Sequence, residues 1–122
     1  MINSILTKLA LLLPNHTAHS GFGFDYKVML EQITATGKYY FVNYLGCRPE
    51  SEYEDGSVDL STGIEIFIST NTDILTDINT LISGLSGYDF NNQKIIFNGA
   101  TPSEAALNTN NQKTMVTSWE VK

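Results

Sequence analysis

The sequence predicts an α+β domain: an antiparallel sheet of about five strands with two amphipathic helices packed on one of its faces. Three observations carry this. An apolar repeat at helical spacing opens the chain, through Ile2, Ile5, Leu6, Leu9, Leu12 and Leu13. A strand of alternating isoleucines, Ile64, Ile66 and Ile68, runs straight into a second helical stripe. Elsewhere the apolar residues fall in short strand-like runs bounded by turn residues. The expected order is α-β-β-β-α-β-β, in a single domain over residues 1–122.

The first helix takes its cap from Asn3 or Ser4 and is ended by Pro14. Its apolar run contains Lys8 and stops at Leu13, too short to span a bilayer. With one lysine on the polar face, docking on a core is favoured over lying on a membrane. Residues 15–24 (NHTAHSGFGF) read as loop. Residues 26–33 and 38–45 then read as a hairpin with Gly37 at its turn. Its second strand is aromatic on both faces, through Tyr39, Tyr40, Phe41 and Tyr44.

Residues 46–57 read as a loop holding Pro49 and the acids Glu50, Glu52, Glu54 and Asp55. A long strand over residues 58–69 comes next, with a break or bulge expected at 61–63. In it Ile64, Ile66 and Ile68 share one face, while Glu65, Phe67 and Ser69 share the other. From Asp73 the period changes. Ile74, Leu75, Ile78, Leu81, Ile82 and Leu85 form one helical stripe, with Asp73, Thr76, Asp77, Thr80 and Ser83 facing water. Thr72 or Asn71 is the expected N-cap, and Gly84 and Gly87 are stop signals. Residues 94–98 form a short strand, 99–112 a polar loop, and 113–121 a final strand.

Hydrophobic residues make up 42% of the chain and charged residues only 16%, so Asn, Thr, Ser and Gly carry the polar surface. Such a surface favours hydrogen-bonded protein contact, or a secreted or virion setting. The net charge is −6, and the basic residues Lys8, Lys27, Lys38, Arg48, Lys94, Lys113 and Lys122 are scattered singly. Without a basic stripe, counterion release offers little, which argues against a nucleic-acid binder. Cys47 is the only cysteine, so no intrachain disulfide forms, and a reduced compartment is compatible. No cleavage site follows the first apolar run, so a soluble protein made in the cytoplasm is expected.

Candidate chemistry is sparse. His16 and His19, with Asp25 nearby, are donors for a transition metal, yet their spacing suits a helix and they sit in a predicted loop; solvated histidines are expected. The acids of residues 46–57 lack the glycine and bidentate glutamate of a calcium loop, so a solvated or partner-contact loop is expected. Cys47 with His16 or His19 has no nucleophile signature, and nothing favours a carboxylate pair for glycoside hydrolysis. The GFGF run at residues 21–24 lacks the lysine and setting of a phosphate loop. The aromatic strand with Trp119 could stack bases or sugars, but a neighbouring subunit covering the second sheet face is more economical. The interface candidates are therefore Tyr39, Tyr40, Phe41, Tyr44, Phe67, Trp119, Glu50, Glu52, Glu54 and Asp55. No catalytic residue, metal or cofactor is expected.

This layout resembles the tail-terminator or tail-completion proteins of long-tailed bacteriophages, also called neck or minor tail proteins. The matching features are the amphipathic helix at residues 2–13, the hairpin, the strand and helix at 64–85, and the terminal strand at 115–121. The acidic loop at 46–57 and the polar loop at 99–112 depart from the pattern. The resemblance implies a non-enzymatic ring in the virion, a hexamer, that caps the tail tube and offers a surface to head-completion proteins. The genome would pass through without specific binding, since a net-negative channel repels phosphates. Two other functions compete with this one. One is a small ligand-binding or enzymatic domain with a cavity between helix and sheet and Tyr39, Tyr40, Tyr44, His16 and His19 at its mouth. The other is an adaptor of a contractile injection system.

Overall fold

The computed structural model describes residues 2–22, 37–52, 54–56, 58–90, 92–102 and 113–122. Their elements run α1 (Ile2–Leu12), β1 (Thr17–Phe22), β2 (Tyr39–Glu52), β3 (Val58–Thr70), α2 (Ile74–Leu85), β4 (Asp89–Phe90), β5 (Gln93–Pro102) and β6 (Lys113–Val121). The strands form one six-stranded sheet in the order β1-β2-β3-β6-β5-β4. β1 runs parallel to β2, and every other neighbouring pair is antiparallel. The class is α+β as expected, but the sheet is mixed rather than antiparallel.

The differences from the sequence expectation lie in segments of weak intrinsic preference. Residues 15–24 are not simply loop: Thr17–Phe22 is an edge strand, although TAHSGF holds little β-branched or aromatic character. Pairing with β2 supplies the hydrogen bonds that propensity does not. Residues 46–57 are not a loop either. β2 continues through Pro49 to Glu52 against β3, which places the reversal between Glu52 and Val58, where Gly56 has φ +87°. β5 likewise extends to Pro102, into the stretch expected as polar loop. β3 itself is unbroken, and its register shifts arise on the β2 side. The first arm of the expected hairpin, residues 26–33, lies outside the described residues.

β3 is the organising strand. Its Ile64, Ile66 and Ile68 stand beside Tyr40 and Val42 of β2 and beside Met115, Thr117 and Trp119 of β6. Both helices pack on this face, through Ile5, Leu9 and Leu13 of the α1 segment and Ile74, Ile78, Leu81 and Leu85 of α2. Each fully buried aliphatic side chain contributes about 1.5–3 kcal/mol relative to an exposed one. On the opposite face Tyr39, Phe41 and Phe67 are also buried within the chain. Two polar side chains of the core, those of Trp119 and Thr117, are satisfied in series. The Trp119 indole N–H donates to Thr117 Oγ1 at 2.6 Å, and that hydroxyl donates to the Ile66 carbonyl at 2.7 Å.

The cap of α2 is Asp73, one residue later than expected. Its carboxylate accepts from the Thr76 hydroxyl at 2.9 Å and the Leu75 amide at 3.1 Å. Those bonds, the Thr76 one foremost, hold the Asp73 carboxyl below the usual carboxylate range. Thr72 instead hydrogen-bonds Thr70 through both its amide and its hydroxyl. Along the helix Leu75 turns out exposed and Asp77 half-buried, so the apolar stripe is narrower than the sequence implied. Gly84 is not a stop signal but a contact point. A Cβ there would lie 2.8 Å from Leu12 Cδ1 and closer still to Cδ2.

Two stability measurements test these contacts. Gly84→Ala improves helix propensity by about 1 kcal/mol, yet crowding at a packed crossing costs about 1–3 kcal/mol, so denaturant titration should show a net loss. In a Leu12→Ala background the same change should stabilise. A loss in both backgrounds would contradict the Leu12 contact. Thr117→Val removes a hydroxyl at nearly constant shape and strands the Trp119 indole N–H, which should cost about 1–3 kcal/mol. Thr117→Ser should cost less, because it keeps the relay.

Candidate functional site

The β2–β3 ladder shifts register between Tyr44 and Gly46. Leu45 and Gly46 both lie at the level of Gly63, and Gly46 takes φ +106°, a left-handed conformation that glycine adopts without strain. This extra residue is a β-bulge, and it re-aims the side chains beyond it. Tyr44 and Cys47 are three apart, so in a regular strand they would face opposite sides. Across the bulge they meet: Tyr44 Oη is 2.9 Å from Cys47 Sγ, and Thr62 Oγ1 is 3.3 Å from it. The bonds from Thr62 first and Tyr44 second pull the exposed Cys47 thiol below its usual range. The Tyr44 phenol moves up, chiefly because it donates to that sulfur. The assignment is mutually consistent: a tyrosine O–H that donates to a thiolate gives up its proton less readily.

A cleft of about 330 Å³ opens beside the bulge, lined among others by Cys47, Arg48, Ser61, Asn98, Ser118 and Glu120. Ser61 donates to Glu120, and the Lys122 ammonium stands 3.9 Å from the same carboxylate. This volume sits at the low end of the range of about 300–1,000 Å³ typical of ligand pockets. No described imidazole stands beside the thiol. His16 is bonded elsewhere, and His19 stands on β1 opposite Phe41.

His16 is not solvated, contrary to the loop expectation. Its Nε2 lies 3.2 Å from Asp77 Oδ2, with side-chain exposures of 4% and 14%. The ring centroid is 6.4 Å from that of Tyr40, whose phenol burial pushes upward. His16 thus clasps the α1–β1 junction to the first half of α2. The adjoining cleft, lined by Pro14, Asn15, Lys38 and Thr80 among others, measures about 140 Å³. That volume lies below the range of about 300–1,000 Å³ typical of ligand pockets. Sequence reasoning missed the clasp because its partners are 61 residues apart and Asp77 fell on the side assigned to water.

The expected interface residues divide. Tyr39, Tyr40, Phe41, Phe67 and Trp119 are each at most 5% exposed within the single chain. They are core residues: a side chain already enclosed by its own chain presents no surface to a neighbour, a base or a sugar. Tyr40 and Trp119 in fact face the helices. Tyr44 is half-buried at the bulge. Glu54 and Asp55 are exposed at the β2–β3 turn, and Glu50 and Glu52 lie on β2. Among the described residues the exposed large hydrophobic side chains are others: Leu45, Leu60 and Ile96 on the sheet, Leu11 and Leu75 on the helices, and Tyr88 after α2. A glycine inside an apolar strand pattern, Leu45-Gly46, was the available signal for the bulge.

Among the described residues no group of three or more His, Cys, Asp or Glu is placed to hold a metal ion. No described helix is long and apolar enough to cross a membrane. No protein-family model matches this chain, and no curated protein matches it in sequence.

The thiol geometry predicts a pH profile. Cys47 should alkylate with iodoacetamide at lower pH than a free cysteine, since the thiolate is the nucleophile. Thr62→Val and Tyr44→Phe should each move the profile to higher pH, Thr62→Val further. Superimposable profiles would contradict the hydrogen bonds.

Proposed function

We propose that this chain is a structural ring subunit resembling the phage tail terminators, seated in the virion between the tail tube and the head-completion proteins. One observation carries the reading. Among the described residues, β2 beyond Tyr44 has only β3 as a neighbour, and β3 before Thr62 has only β2. Among the described residues, then, the outer part of this hairpin is a two-stranded ribbon beyond the helix-covered body. Such a ribbon is marginal in water by itself. This one also exposes Leu60, with Leu45 at its root. An arm of this kind gains its stability by lying on another surface.

Charge supports the same reading. The net charge is −6, and the arm with its turn holds Glu50, Glu52, Glu54, Asp55 and Asp59 against Arg48. A ring of such subunits repels DNA phosphates and lets a genome pass without retention. The ring reading also covers an adaptor of a contractile injection system. A second reading, a small ligand-binding domain, draws on the 330 Å³ cleft and the Cys47 thiol beside it.

Light scattering on the purified chain discriminates these. A hexamer that falls apart when the arm is shortened to a tight turn is the expected outcome. A monomer at all concentrations, with or without the arm, would overturn the ring and leave the cleft as the functional surface.

A further inference from the structure

We draw no further inference here: the strongest candidate, the Cys47 thiol beside the cleft at the β2–β3 bulge, is a lone cysteine whose bonds from Tyr44 and Thr62 lie within its own cluster, and among the described residues nothing at that cleft points to a ligand.

Discussion

Everything else in this molecule depends on burying β3 on both of its faces. A strand with Ile64, Ile66 and Ile68 on one side and Phe67 on the other is stable only where two layers meet across it. The helices supply one layer, and their apolar stripes have no other place to go. The flanking strands arise from the same requirement, because a buried strand must satisfy its backbone on both edges. β2 and β6 do so along most of its length. Thr117 sits where this constraint is tightest, since it completes a polar chain between an indole and a carbonyl that water cannot reach.

The part of the fold that was legible in the sequence is the part that this core dictates. The isoleucine alternation, the two helical stripes and the final strand are periodic signals written by burial, and each stands where periodicity placed it. Strands that owe their existence to a partner left weaker signals. β1 is built from small polar residues and is a strand because β2 lies beside it. The outer half of β2 contains Gly46, Pro49 and alternating acids, which locally spell a loop; a ladder with β3 outweighs that preference. Aromatic residues on both faces of β2 invited a partner subunit as the cover. The chain covers them itself, which no local pattern states.

The functional surface was less legible than the fold for a related reason. A bulge is one residue of register, and the Tyr44–Cys47–Thr62 cluster exists only because of that residue. The His16–Asp77 clasp joins two segments through tertiary proximity alone. Charge, by contrast, could be read at once. The acids of the arm and turn, Glu50, Glu52, Glu54, Asp55 and Asp59, fall close together in sequence around the β2–β3 reversal. The described body is therefore a sheet with two helices on one face and a low charge density, and the acids gather on the hairpin beyond it.

The pairing of β3 with β6 has a consequence for how the chain is made. Ile66 and Thr117 bond across 51 residues, whereas β2 and β3 are joined by a short turn. During synthesis the hairpin and α2 are complete before residues 113–121 leave the ribosome. Through that interval the IEIFIS segment has a bare edge, uncharged save for one glutamate and rich in β-branched side chains, the composition that seeds aggregation. A nascent chain with such an edge gains from a chaperone, or from prompt completion of its last strand. The strand order that gives the finished protein its rigid centre also makes its unfinished form the most vulnerable stage of its life.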